Sequence, residues 1–404
     1  MAIMWVNSYK QTKEKKENEI MARKKKKQAK LKMSYKLLVA ILIIALLLCI
    51  VFGTMYFVDP VLFKKIFNFN NSGDGTITAG STVTLKEGDT SVHFMELGND
   101  KAGDCILVKN GNTEILIDAG SDTDSIETIS TYINTYCTDG ILEYVIVTHG
   151  DRDHIACFAG TTSVSYQTIF DRYECEIIID APLTSKTSAM HNRYVAKRDA
   201  EVANGATHYT ALQCCKETDG AKRVYNIADN VSMEILYNYY YDHTSSDENN
   251  YSVCMMLTAG NYKYLFTGDL EKSGEEHLVA NNSLGKVNVY KAGHHGSKTS
   301  STITLLDVIR PDIVVFTAAM GVQEYTSNLD NVFPTLKAVK NITKYTTNMY
   351  CPRVVNEEGK SDLYNGNIVI ISDATSIRVV CSNITDNITA NQWYKDYRAS
   401  KLSA

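Results

Sequence analysis

The sequence predicts an α/β fold with helices laid against mixed sheets, and three observations predict it. Short apolar runs of strand length are separated by amphipathic helical segments, a strand, helix, strand succession occurs twice, and the strands end in clusters of Asp, His and small residues. The first strands are Val92 to Leu97, Cys105 to Val108 and Glu114 to Asp118, with a tight turn at Asn110-Gly-Asn112. Asp124-Ser125 then begins a capped helix whose Ile126, Ile129, Ile133 and Cys137 share one face. Leu142 to Thr148, mostly apolar, is the next strand. Ala156 to Asn250 is less regular; it holds a strand at Glu176 to Asp180, a helix near Ala189 to Asn204 and a tyrosine-rich segment, Tyr237 to Tyr241. The second succession runs from strand Tyr262 to Thr267, through a Glu271 to Ala280 helix, to strand Val287 to Tyr290.

Composition excludes a disordered chain: 404 residues with 44% hydrophobic and 22% charged content carry a substantial core. The net charge of -5 hides an asymmetry. Residues 1–36 hold 12 Lys or Arg against 3 Glu, which leaves the remainder near -14. Between the two lies Leu37 to Val58, 22 uncharged and mostly apolar residues, against the roughly 20 needed to cross a bilayer as a helix. Phe52 to Pro60 offers no good cleavage site, so the span reads as an uncleaved signal-anchor to the plasma membrane. The basic run Arg23 to Lys27 on its N-terminal flank places that end in the cytoplasm and everything after Val58 outside.

Asp59 to Thr90 reads as a linker, rich in turn residues around Asn68 to Gly75. The main domain follows at 91–381, with a C-terminal tail at 382–404. Nine cysteines lie beyond the span, none in a CxxC pair, so neither a thiolate zinc site nor a disulfide framework is expected.

The chemistry concentrates in His149-Gly-Asp-Arg-Asp-His154, directly after a strand. Imidazole nitrogen and carboxylate oxygen are ligands of borderline to hard divalent ions, and four of them on one loop call for a cation. If the loop is extended, His149, Asp151 and Asp153 converge while His154 swings to a second focus, so that one loop feeds two metals. Two further segments share this layout. Leu265-Phe-Thr-Gly-Asp269 ends a strand in a carboxylate, and Lys291-Ala-Gly-His-His-Gly-Ser-Lys-Thr-Ser300 places two imidazoles in a small-residue loop. The single residues His191, His208 and His243 read as packing or surface histidines.

In this order the motifs resemble the metallo-β-lactamase superfamily, and within it the ComEC-like branch of competence-protein C-terminal domains and their free-standing relatives. The resemblance covers Val92 to Val380, and the superfamily's HxHxDH here carries Asp151 at its second ligand position. Asn249-Asn-Tyr-Ser252 resembles the Asn-rich strand start that precedes the TGD motif in this branch. The sequence also departs from the pattern. The early Gly-Asp turn is lengthened over Leu97 to Asp104, Ala156-Cys157 replaces Gly-Gly, and Val332-Phe333-Pro334 stands where a Tyr-Gly-His-Pro segment is usual.

The resemblance implies a four-layer αββα sandwich and two divalent metal ions, Zn or Mn, sharing a hydroxide. It implies His149, Asp151 and one of His294 and His295, with His294 favoured, on the first metal; Asp153 and His154 on the second; and Asp269 bridging. Asp118 and Asp104 would orient imidazoles, and Ser297, Lys298 and Thr299 would meet a phosphate oxygen. Asp153, Asp269 and Lys298 are thus the candidate catalytic residues. The function implied is a membrane-anchored extracellular phosphodiesterase acting on DNA or related phosphodiesters. The alternatives are hydrolysis of a cell-envelope phosphodiester or small ester, and a non-catalytic surface binding module. A lactamase proper is disfavoured, because Asp151 and the Asn250 region break its His-rich ligand set. One span cannot make a pore, so the branch's DNA-uptake channel does not carry over.

Overall fold

A computed structural model describes residues 83–162 and 167–402. The basic segment 1–36, the span Leu37 to Val58 and most of the 59–90 linker lie outside the described residues. Among the described residues no helix is long and apolar enough to cross a membrane.

The strands are β1 (Thr90–Phe94), β2 (Ile106–Asn110), β3 (Thr113–Ile117), β4 (Ile141–Val147), β5 (Glu174–Asp180) and β6 (Thr207–Thr210), then β7 (Val224–Ala228), β8 (Val231–Leu236), β9 (Cys254–Ala259), β10 (Tyr262–Phe266), β11 (Val289–Lys291) and β12 (Ile313–Val315). They are followed by β13 (Ala319–Met320), β14 (Met349–Tyr350), β15 (Arg353–Val355), β16 (Ser361–Leu363), β17 (Ile368–Ser372) and β18 (Ile377–Cys381). One sheet has the order β18-β17-β1-β2-β3-β4-β5-β6, and the second β14-β12-β11-β10-β9-β8-β7. A three-stranded patch, β13-β15-β16, completes the set. Both large sheets are mixed: β3 to β6 pair in parallel, as do β10, β11, β12 and β14, while the remaining strands pair antiparallel.

Side-chain alternation explains the layering. Along β3, Ile115 and Ile117 enter the core between the sheets, where they join Met233, Met255 and Phe266, whereas Leu116 faces the helices outside. Strand stretches buried on both faces are apolar, which is why Val145 to Val147 shows no alternation. The outer helices of the first sheet include α1 (Ile126–Ile133), α2 (Arg152–Ala159) and α3 (Ala189–Asn204). The second sheet is covered by α4 (Lys272–Asn281), α5 (Ile303–Ile309) and α6 (Leu336–Ile342). The protein is therefore a mixed α/β sandwich with helices on both outer faces.

Two segments differ from the sequence reading. Val83 and Leu85, assigned to the linker, pack against Val369, Ile371 and Val380. The 382–404 tail buries Ile388 and Tyr394 in the core outside the second sheet, and Arg398 is fully buried with its guanidinium on the Leu329, Val332 and Pro334 carbonyls. The cysteines beyond the span are all unpaired.

Candidate metal centre

The centre forms where strand ends from both sheets meet. β3 and β4 end at Asp118 and His149, and β10, β11 and β12 end at Asp269, the His294-His295 turn and Thr317. These are carboxyl ends of parallel strands, the edge at which open α/β sheets present ligands. Close approach is needed here, and two glycines permit it. A Cβ on Gly120 would lie 1.5 Å from the Asp153 carbonyl oxygen, and Gly268, at φ +51°, passes against Ser252 and Thr148. His294 and His295 both adopt positive φ, 48° and 53°, a conformation that costs a residue with a Cβ on the order of 1 kcal/mol and is held by the surrounding fold.

The metal loop is not extended throughout. Asp151 is the N-cap of α2, so Asp153 and His154 lie in the first helical turn and swing to the same side. Asp153, His154, Asp269 and His295 converge, each offering one ligand atom within 4.8 Å of the others. Asp269 Oδ2 sits centrally, 3.2 Å from His295 Nε2, 3.3 Å from His154 Nε2 and 3.7 Å from His294 Nε2. His149 Nε2 and Asp151 Oδ2, 3.5 Å apart, form the neighbouring pair, and the His149 and His154 rings lie 4.1 Å apart. His295, not the favoured His294, thus joins this group. It sits with Asp153 and His154 rather than with His149 and Asp151, while His294 is partly exposed and also faces Glu271.

Hydrogen bonding assigns the tautomer of each buried imidazole. The Thr148 hydroxyl donates to Asp118 Oδ2 at 2.7 Å, so it must accept from His149 Nδ1 at 3.1 Å. His154 Nδ1 donates to Asp118 Oδ2 at 2.7 Å. The Thr317 hydroxyl donates to Asp104 Oδ1 at 2.5 Å and accepts from His295 Nδ1 at 3.0 Å. In all three rings Nδ1 carries a proton, which leaves Nε2 as the atom that can ligate a cation; without one, the carboxylates around His154 and His295 favour a second proton there. Those three Nε2 atoms are buried without a hydrogen-bond partner. A divalent cation fits such a donor set, because it is the partner these lone pairs lack.

Electrostatics agree. Burial disfavours a charged His154, but Asp269 and Asp118 outweigh it and hold its pKa well above the ordinary value. At His295, Asp269 and Asp104 outweigh burial in the same way. Burial would raise Asp269, yet His295, His154 and Lys291 hold it well below the carboxylate range. The carboxylates demand positive charge at the centre of the cluster.

Several contributors were not singled out in the sequence. Lys291, which in the sequence only opens the histidine motif, is buried, with Nζ 2.6 Å from Asp104 Oδ2 and 3.3 Å from Asp269 Oδ1. It fixes Asp269 so that Oδ2 faces the imidazoles. The only sequence signal was its place at the end of an apolar strand. Glu248, also buried, accepts from Gly150 N–H at 3.0 Å, Thr184 Oγ1 at 2.7 Å, and Ser185 N–H and Oγ at 2.6 and 2.8 Å. It clamps the metal loop to the 184–185 loop, from which Lys186 pairs with Asp151. Burial raises the Asp151 pKa, but His149 and Lys186 outweigh it and depress it.

A cleft of about 420 Å³ opens over the cluster, lined by Asp151, Asp153, His294, Lys298, Tyr325 and Phe333. Lys298 is exposed at its mouth, and Ser297 Oγ and Thr299 Oγ1 bond each other at 2.9 Å. Of the single histidines, His208 bonds Asp180 at 2.8 Å and His243 stacks on Tyr239, while His191 packs on Tyr194 beside Gly150 of the metal loop.

Comparison with known proteins bears out the resemblance. The sequence model of the metallo-beta-lactamase superfamily matches residues 98–162, the segment from the lengthened early turn through α2. The chain is 37% identical to Recombination protein 2 of Haemophilus influenzae over 71 residues, 18% of this chain and 9% of that protein. It is 26% identical to ComE operon protein 3 of Bacillus subtilis over 178 residues, 44% of this chain and 20% of that protein. It is 40% identical to Competence protein ComA of Neisseria gonorrhoeae over 72 residues, 17% of this chain and 10% of that protein. The matches therefore span a fifth or less of each relative's length.

Proposed function

We propose that this protein is a metal-dependent phosphodiesterase, anchored by the Leu37 to Val58 span with its hydrolytic domain outside the cell. The observation that carries the reading is the set of three buried imidazoles with unpartnered Nε2 atoms, His154 and His295 beside Asp153 and Asp269, and His149 beside Asp151. Asp153, His154, Asp269 and His295 would hold one divalent ion, Zn or Mn, and His149 with Asp151 the other, with His294 at the margin. When bound, such ions supply an activated hydroxide and polarise the ester under attack. The chain's own residues do the rest. Asp118 and the Asp104-Thr317 pair keep each imidazole in the ligating tautomer, Lys291 aims the Asp269 carboxylate, and Lys298 meets a phosphate oxygen at the mouth.

Similarity to competence and recombination proteins supports a nucleic-acid substrate. The charge near -14 after residue 36 favours a second reading, hydrolysis of a cell-envelope phosphodiester or small ester, because nucleic acids are bound through clustered Lys and Arg. The test is hydrolysis of single- and double-stranded DNA, a dinucleotide and a wall phosphodiester polymer by the full chain with Mn or Zn. Metal-dependent turnover lost in Asp153→Ala is expected; turnover indifferent to metal or to that substitution refutes the proposal. Activity on wall polymer alone selects the second reading.

A further inference from the structure

Phe333 occupies the place where the family's pattern carries a late histidine. In the fold its ring packs 6.0 Å from the His294 ring and 5.9 Å from the His295 ring, centroid to centroid. Tyr325 stands 5.8 Å from Phe333 on the open side. With 63% of its surface exposed, Tyr325 is the most exposed large apolar side chain among the described residues. An exposed aromatic ring is ordinary on a surface; one that lines the cleft over the His-Asp cluster and, through Phe333, backs onto its imidazoles is a wall of the site.

The wall is held in place. Gly321 N–H donates to the Phe333 carbonyl at 2.8 Å, Thr335 N–H and Oγ1 bond the Gly296 carbonyl at 2.9 and 3.0 Å, and Ala102 N–H donates to Glu324 Oε2 at 2.8 Å. The loop bearing Tyr325 is thus tied to the histidine turn and to the loop after β1. Lys298 lies on the same rim, and the cleft is the size of one small-molecule group.

We infer that Tyr325, backed by Phe333, is a stacking platform for the base of a single nucleotide whose phosphate lies over the metal cluster. This inference rests on the phosphodiesterase reading and names its substrate end: an unpaired nucleotide rather than a duplex or a sugar phosphate. A flat π face recognises any base without reading its edge, and a duplex would have to release that base first. With few cations near the cleft, stacking supplies the affinity that phosphate contacts do not.

The test is calorimetric titration of the full chain, with Mn present, by thymidine 5′-monophosphate and by ribose 5-phosphate, which has the sugar and phosphate but no base. The wild type should bind the nucleotide at least about tenfold more tightly than ribose 5-phosphate. Tyr325→Ala should abolish that preference, Tyr325→Phe should keep it, and neither should change the Tm or the Mn stoichiometry. Equal binding of the two probes by wild type, no detectable binding of either, a preference that survives Tyr325→Ala, or its loss in Tyr325→Phe would each overturn the inference. Because the readout is binding, a nucleotide preference without hydrolysis would sink the phosphodiesterase reading and leave the platform standing.

Discussion

Asp118→Asn is the sharpest perturbation of the metal centre, since it changes one atom and little else. Asp118 is fully buried at φ 57°, a conformation Asn tolerates well, so the backbone is not strained by the change. Its Oδ1 accepts from Thr148 N–H at 2.7 Å, and its Oδ2 takes both the Thr148 hydroxyl and His154 Nδ1 at 2.7 Å. An amide NH₂ at the Oδ2 position donates where two donors already point. His154 must then accept on Nδ1 and carry its proton on Nε2, the atom 3.3 Å from Asp269 Oδ2, where it has no lone pair to offer. Flipping the amide instead sets NH₂ against Thr148 N–H, at about 1–3 kcal/mol for a buried unsatisfied donor. Either way metal affinity should fall 10- to 100-fold, on the order of 1.4–2.8 kcal/mol. Titration of Mn and Zn into the purified full chain measures this directly, with a thermal melt as control. Wild-type affinity in Asp118→Asn would refute the tautomer argument.

Glu248→Ala should leave Gly150 N–H and Ser185 N–H without acceptors and cost about 2 kcal/mol or more, read as a lowered Tm. It should also weaken a second equivalent of metal, held by His149 and Asp151, more than the first; equal weakening of both would contradict the clamp. Burial pushes the Glu275 carboxyl up to about 7 from 4.5, despite hydrogen bonds from Ser301 and Thr302 N–H. A folded-state value above the unfolded one means the folded protein holds the proton more tightly, so this stability is complete below pH 4.5 and lost as pH rises through 7. Glu275→Gln should flatten that part of the Tm–pH curve, and an unchanged slope would count against it.

Local patterns were legible where a side chain's environment follows from its neighbours in sequence. The apolar face of Ile126, Ile129 and Ile133 marked α1, and the Ala189 to Asn204 helix was read at the bounds it has. The β7 and β8 hairpin went unread; in β7 the exposed Val224 and the register shift between Asn226 and Ala228 blur the alternation. The metal loop was recognised by composition but given the wrong geometry: an extended turn sends alternate residues one way, whereas the start of α2 at Arg152 turns Asp153 and His154 together.

Sequence alone picked out the candidate ligands, His149, Asp151, Asp153, His154, Asp269 and the His294-His295 pair, because metal-binding chemistry resides in residue type and close spacing. It also determined the strand, helix, strand order that carries those residues to strand ends. The tertiary structure decided which atoms meet. His295 rather than His294 joins Asp153, Lys291 is buried against Asp104, Glu248 holds Gly150, and Phe333 packs beside the imidazoles. Those pairs lie from 38 to 187 residues apart or turn on single backbone dihedrals, so only the packing of the two sheets sets their distances.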